Sequence, residues 1–175
     1  KIENEGYRFG SNELGLDKKI HIEFVSANPT GPLHVGHGRG AAVGSALSRI
    51  YKFCGYDVHR EYYVNDAGRQ MDILTISVYQ RFQEKYLGGS FLLSNDYEGE
   101  YVSDIADAIK AEGLLDGFVG KKFEPTGSNV VELEKALDES ITELKSFLSI
   151  PVFDAIRDFS CEYVLNDIRE TLEDF

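Results

Sequence analysis

Two histidines three residues apart, His34 and His37, are the side chains whose type and spacing best suit chemistry. If a helix begins near this point, both project from one face of its first turn. The amide groups of a first turn carry about half a positive charge and bind anions, phosphate in particular. Two imidazoles beside such an anion site can stabilise α-phosphate oxygens whose charge changes in a phosphoryl transition state.

Glycine occupies every second position from Gly36 to Gly40, namely Gly36, Gly38 and Gly40. The missing side chains leave room where a base or ribose could lie on the backbone. Other interpretations stay open at this point. The pair could be surface histidines on a capped helix, or half of a metal site, although partners at ligand spacing are missing. A dinucleotide loop is disfavoured because Val43 stands where the third glycine belongs, and the sequence contains no P-loop motif.

The elements around the histidines predict a strand, a turn and a helix. Ile20, Ile22 and Phe24 alternate with polar residues, as in a half-buried strand, and residues 26–32 (SANPTGP) have turn chemistry. A helix should follow, with Gly55 placed to end it. Its predicted buried face contains Val43, Leu47, Ile50 and Cys54.

A second strand and further helices follow. Val58, Arg60, Tyr62 and Val64 alternate as a strand, and Asp66 could cap the next helix, with direct substrate contact as the alternative role. That helix carries Met71, Leu74, Val78 and Phe82. A weak helix over Tyr101, Ile105 and Ile109 precedes a strong one over Leu133, Leu137, Ile141, Leu144 and Leu148. Residues 150–153 predict a short strand, and Val164, Ile168 and Leu172 predict a last helix.

Strand, helix, strand, helix is typical of an α/β fold with a Rossmann-like, doubly wound parallel sheet. Its ligands bind at the carboxyl edge of the strands, where the histidine loop would lie. The pattern weakens after residue 87. We therefore interpret residues 20–87 as the first half of the domain, 88–129 as a mostly helical insertion and 130–175 as a truncated continuation.

Composition restricts the class of protein. The net charge of −12 over 175 residues opposes broad nucleic-acid binding, so an RNA partner would place most of its footprint elsewhere. No apolar run approaches the ~20 residues that a membrane span needs. Cys54 and Cys161 suggest neither a disulfide framework nor a zinc knuckle, so we expect a reduced, cytoplasmic location. The first residue is Lys1 and the single methionine is Met71, which favours a fragment.

Two long blocks carry a family resemblance. Residues 23–40 (EFVSANPTGPLHVGHGRG) resemble the first signature of bacterial arginyl-tRNA synthetases, with residues 34–37 at the "HIGH" tetrapeptide of class I synthetases. Residues 55–70 (GYDVHREYYVNDAGRQ) resemble the segment that these enzymes have after the next strand, and weaker likeness continues in residues 99–106. The signature consists of Ala27, Asn28, Pro29, Thr30, Gly31, Pro32, Leu33, His34, Val35, Gly36 and His37.

The resemblance implies ATP-dependent activation of L-arginine to an adenylate, with Mg²⁺ accompanying ATP, and transfer to the acceptor end of tRNA(Arg). It implies that His34 and His37 are catalytic and bind ATP together with Gly36 and Gly38. Ser26 and Asn28 would hold the α-amino and carboxylate end of arginine. Glu162, just past the predicted strand, would bind the guanidinium, with an exposed cap at a helix start as its alternative role. Residues 1–19 would be the tail of a missing N-terminal domain.

We also expect a monomer, and the resemblance sets two further expectations. Some similar enzymes carry a lysine where Gly31 stands, so a cation for pyrophosphate would have to come from the second, lysine-rich class I signature, which does not occur before Phe175. The chain alone should therefore be inactive. A small nucleotidyltransferase with H-x-G-H, another class I synthetase and a non-catalytic binding module stay open as alternatives.

Overall fold

A computed structural model describes residues 1–89, 96–123, 129–173 and 175. It contains a 3₁₀ turn over Gly6–Arg8 and a π-helical turn over Gln83–Leu87. The elements in chain order are α1 (Ile2–Glu5), β1 (Lys19–Glu23), α2 (Val35–Phe53), β2 (Asp57–Glu61), α3 (Arg69–Phe82), α4 (Glu100–Glu112), α5 (Val130–Leu148) and α6 (Ile150–Glu173).

The strands β1 and β2 form a parallel pair joined by α2, in a register that places Ile20 opposite Val58. Ile20, Ile22 and Val58 are half-buried, whereas the alternate residues of both strands are exposed. The predicted strand–helix–strand unit is confirmed, but both strands are shorter than predicted: Phe24, Tyr62 and Val64 lie beyond their ends, and Arg60 is exposed. Among the described residues the sheet has these two strands, so the larger doubly wound sheet stays a prediction.

The helix α2 begins and ends where the sequence predicts, but it buries a different face. Gly55, with φ +85°, follows its last turn, and the amide of Tyr56 donates to the carbonyl of Tyr51, the pattern of a glycine-ended helix. The predicted buried face is wrong, since Val43, Leu47 and Ile50 are exposed and Cys54 is half-buried. The residues buried instead are Ala41, Gly44, Ser45 and Ser48.

Small residues explain this orientation of α2. A Cβ atom added to Gly44 would lie 2.2 Å from the ring of Phe24, so the glycine lets the helix approach the residue that follows β1. The hydroxyl of the buried Ser48 donates to the carbonyl of Gly44 at 2.8 Å and is therefore satisfied. Close approach of the backbone, rather than the size of the apolar side chains, determines which face of α2 is buried.

The helices α3, α4 and α5 confirm their predicted apolar faces. Residues of α3 are almost completely buried, and Arg69 at its start pairs with Glu134 and Asp138 of α5. The buried members of the three predicted faces are Met71, Leu74, Val78, Phe82, Ile105, Ile109, Leu137, Ile141, Leu144 and Leu148.

Two predictions of local structure are wrong. Residues 150–153 are the first turn of α6 and not a strand. Pro151 fits this turn because the amide that proline lacks has no helical partner there, and a four-residue apolar run does not distinguish strand from helix. The predicted cap at Asp66 is also wrong, because α3 begins at Arg69 after Gly68, whose φ is +91° and whose carbonyl accepts the amide of Met71.

The described residues divide into two compact units. The first comprises Lys1–Asn28, Leu33–Asn65 and Arg169–Phe175, and the second comprises Pro29–Pro32 and Asp66–Ile168. The proposed insertion of residues 88–129 lies partly outside the described residues, at 90–95 and 124–128, and its status as an insertion stays a prediction. None of the described helices has both the length and the apolar character needed to cross a membrane.

Candidate functional site

The first turn of α2 is capped by histidines. The Nδ1 atom of His34 accepts the amide of Gly36 at 3.1 Å, and the amide of His34 donates to Nδ1 of His37 at 3.2 Å. This reciprocal arrangement is a capping box in which imidazoles replace the usual hydroxyl and carboxylate. The expected helix start and the shared face of the two histidines are confirmed.

The two imidazole rings stack, with centroids 3.9 Å apart and planes inclined by 26°. Because each Nδ1 accepts a backbone amide, the proton of each neutral ring lies on Nε2. Partial burial, and then the neighbouring His34, lower the pKa of His37 below 6.5, which favours its neutral form. Since both Nδ1 atoms are engaged as acceptors, Nε2 is the atom of each ring that can donate to a ligand.

The amide groups of this turn are already engaged. Gly36 donates to His34 Nδ1, and the amides of His37 and Gly38 donate to the carbonyl of His34 at 2.8 and 3.3 Å. The expectation of free amides at the helix start is wrong for these three residues. An anion bound here would be met by the imidazole N–H groups and by the helix dipole.

The glycines near the start of α2 differ in what surrounds them. A Cβ atom at Gly36 would lie 2.8 Å from Cε1 of His34, so this glycine accommodates the capping ring. A Cβ atom at Gly38 or Gly40 would meet no atom of the described residues within 4 Å. Packing within the described chain thus explains Gly36 but gives no reason for Gly38 or Gly40.

A strained connection joins β1 to the signature. Val25 and Ser26 have φ values of +69° and +41°, in the left-handed region that β-branched residues rarely adopt. Such backbone persists only where its surroundings hold it, and it is concentrated at binding sites. Here the amide of Phe24 donates to the carbonyl of Glu61, and the hydroxyl of Ser26 donates to Glu23 at 2.7 Å.

Residues that follow β2 hold the residues that follow β1. The amide of Tyr63 donates to the hydroxyl oxygen of Ser26 at 3.1 Å, and the hydroxyl of Tyr62 donates to the carbonyl of Ala27 at 2.5 Å. The side-chain amide of Asn65 donates to Oδ1 of Asn28 at 2.9 Å. These contacts orient both residues that the sequence assigns to arginine.

Sequence analysis missed the contacts that Tyr62 and Asn65 make with the candidate site. The available signal was their position, because both belong to residues 55–70 and follow a strand that is parallel to β1. The carboxyl ends of neighbouring parallel strands share one edge of a sheet. Strand alternation alone could not distinguish the role of Tyr62 from that of an ordinary strand residue.

Tyr101 at the start of α4 supports Thr30–Pro32 in the second unit. Its hydroxyl donates to the carbonyl of Thr30 at 2.7 Å, and burial raises the pKa of Tyr101 to about 12, so it remains a donor. A Cβ atom at Gly31 would lie 3.1 Å from the same hydroxyl. The position where similar enzymes carry lysine is therefore adjacent to a tyrosine here.

Glu162 is not placed as predicted. It lies well inside α6 and is exposed, so neither a position just past a strand nor a cap at a helix start applies. The metal interpretation of His34 and His37 gains no support either, since no third ligand-type side chain among the described residues forms a cluster with them.

Comparisons with known proteins identify the family of this chain. The family model described as "tRNA synthetases class I (R), catalytic domain" matches residues 4–103, more than half of the chain, and the chain belongs to this family. An arginine–tRNA ligase of Coxiella burnetii is 43% identical over 97% of the chain, and one of Thioalkalivibrio sulfidiphilus is 44% identical over 99%. The chain spans about 30% of the length of each.

A solved structure gives the same result. A chain from Campylobacter jejuni, provisionally described as an arginyl tRNA synthetase, superposes with a TM-score of 0.70 at 30% identity. The match covers 98% of this chain and 32% of that one. The predicted resemblance to class I arginyl-tRNA synthetases is thus confirmed.

Proposed function

We propose that the protein containing this chain is an arginine–tRNA ligase, which activates L-arginine with ATP and transfers it to the terminal adenosine of tRNA(Arg). One observation carries the proposal: a chain of this family has two stacked imidazoles at the start of α2, each with its Nδ1 engaged by a backbone amide. The acceptor end of the tRNA would reach the site, while its main footprint would lie outside this acidic chain.

In the proposed reaction, His34 and His37 donate from Nε2 to oxygens of the α-phosphate. The arginine carboxylate attacks the α-phosphorus and pyrophosphate leaves in line, so little proton transfer is required. Positioning and charge stabilisation supply the catalysis, and fixed donors in a preorganised turn do both. Gly36 and Gly38 would lie beneath the nucleoside, and Mg²⁺ would accompany ATP, held by phosphates and water.

For arginine, we propose that Ser26 and Asn28 contact the α-amino and carboxylate end. The contacts from Tyr63 and Asn65 support this role, because they fix both polar groups before the ligand arrives. A guanidinium favours a bidentate carboxylate, and Glu162 is retained as the candidate by resemblance only. We further propose a doubly wound catalytic domain interrupted at residues 88–129, and a monomer.

The test is ATP–pyrophosphate exchange by the longer protein that contains this chain, with each amino acid in turn, with and without tRNA. We expect exchange with arginine and little with the others. Exchange selective for another amino acid would contradict the substrate, and transfer of a nucleotide without an amino acid would indicate a nucleotidyltransferase. The 175-residue chain alone should show no exchange.

A further inference from the structure

The outward face of the β1–β2 pair carries a cluster that the proposed reaction does not use. His21 lies opposite His59 in the parallel register, and Glu61 is two residues beyond His59 on the same face. His21 contacts Glu61 through Nε2, and the two imidazole rings meet edge to face with centroids 5.2 Å apart. All three side chains are exposed.

The geometry of the three groups resembles an open metal site. One ligand atom from each of the three side chains lies within 4.8 Å of the other two. Ligand atoms around a tetrahedral ion with bonds of ~2 Å are about 3.3 Å apart, so small rotations of exposed side chains would close the set. Because the two neighbouring strands fix all three backbone positions, little further ordering of the chain is needed.

The chemistry of the donors defines the class of ion. Two imidazoles and one carboxylate suit borderline transition metals such as Zn²⁺, Ni²⁺ and Cu²⁺, whereas Mg²⁺ and Ca²⁺ prefer sites made of oxygen ligands. Three protein ligands leave a coordination position for water. Within the described residues no other group of three ligand-type side chains is this close together.

We propose that His21, His59 and Glu61 form a binding site for a divalent transition-metal ion, distinct from the histidine pair at the start of α2. The bound ion joins the middle of β1, at His21, to the second half of β2, at His59 and Glu61. It thereby restrains the residues that lead into Val25 and Ser26, and it stabilises the folded chain by an amount that rises with the logarithm of its concentration above the dissociation constant.

The experiment is a Zn²⁺ titration of the 175-residue chain at pH 7.5, followed by ¹⁵N NMR of the imidazole groups. The chain has four histidines, so each signal can be assigned by substitution. We expect saturable shifts for His21 and His59 without shifts for His34 and His37, and a thermal unfolding midpoint that rises with Zn²⁺. Lowering the pH to 5.5 should weaken binding, because the ligand imidazoles must be neutral.

Substitutions localise the site. His59→Asn and Glu61→Gln should each weaken binding at least tenfold, since loss of even an outer partner of a metal ligand typically costs ~10–100-fold. Asp57→Asn is the matched control, because Asp57 is an exposed residue of the same strand outside the cluster, and it should bind Zn²⁺ as the parent does. Circular dichroism verifies that each variant is folded.

Three outcomes would overturn the proposal. These are the absence of a saturable shift, a shift of the signals of His34 and His37 in place of the predicted pair, and unchanged affinity in both variants. None of them bears on arginine activation, which is measured separately by exchange.

Discussion

The helices α2 and α3 have similar apolar spacing in the sequence but bury different kinds of residues. On α3, Met71 and Leu74 of the predicted face are 1% and 0% exposed. On α2, Val43, Leu47 and Ile50 of the predicted face are 55%, 42% and 58% exposed. Apolar periodicity therefore predicts that a helix forms, whereas the buried face depends on which side can approach its neighbour most closely.

The largest expected difference in the free energy of unfolding is between two leucine variants, one on each helix. Leu74→Ala should lower the free energy of unfolding by about 2–5 kcal/mol, because it leaves a cavity in a packed core. Leu47→Ala should change it by less than about 0.5 kcal/mol, because that side chain is exposed. Denaturant unfolding of both variants measures the difference, and equal costs would show that the face of α2 has been misidentified.

A second pair, of glycines on α2, tests the close approach. Gly44→Ala should destabilise the chain by roughly 1–3 kcal/mol, since the new methyl group would overlap the ring of Phe24. Gly40→Ala should stabilise it by about 0.5–1 kcal/mol, since alanine favours helix and the site is open. Thermal unfolding with both variants checks the signs, and a neutral Gly44→Ala would contradict the packing of α2 on Phe24.

Substitutions of Val25, in the strained connection after β1, should change the free energy of unfolding by less. Glycine is normally less stable than alanine by about 0.5–1 kcal/mol, but left-handed backbone costs L-residues about 1–2 kcal/mol. Because Val25 has φ +69°, Val25→Gly should be more stable than Val25→Ala, although glycine also loses the contacts of Cβ. Chemical denaturation of the two variants side by side determines the order, and the usual order would argue against strain at this junction.

Among the predicted effects on stability, that of His37 is the smallest. Its folded pKa lies below 6.5, so the unfolded chain binds more protons and stability rises with pH. This contribution should be complete above pH 6.5 and should disappear as the pH falls through the folded pKa. An imidazole titration by NMR should give a midpoint below 6.5, and His37→Gln should flatten the pH dependence of unfolding in that range. A midpoint at or above 6.5 would disagree with the capped, stacked ring.

Much of this structure could be predicted from the sequence, for physical reasons that differ between residues. The start of α2, the glycine end at Gly55 and the α3 core depend on local spacing and backbone preferences, which a single sequence contains. The face of α2 and the roles of Tyr62 and Asn65 depend on contacts between distant residues. The strand predicted for residues 150–153 failed because a short apolar run fits helix and strand equally well.

The decisive measurement separates capping from catalysis at His34. Asparagine caps helices well but lacks an outward imidazole N–H, so His34→Asn should keep the stability of α2. In the longer protein that contains this chain, arginine-dependent ATP–pyrophosphate exchange by His34→Asn should fall ~10²–10³-fold. Exposed Arg49→Ala on the same helix serves as the control and should retain the rate. Exchange by His34→Asn within a few-fold of the parent would show that His34 only caps the helix and would contradict its proposed contact with ATP.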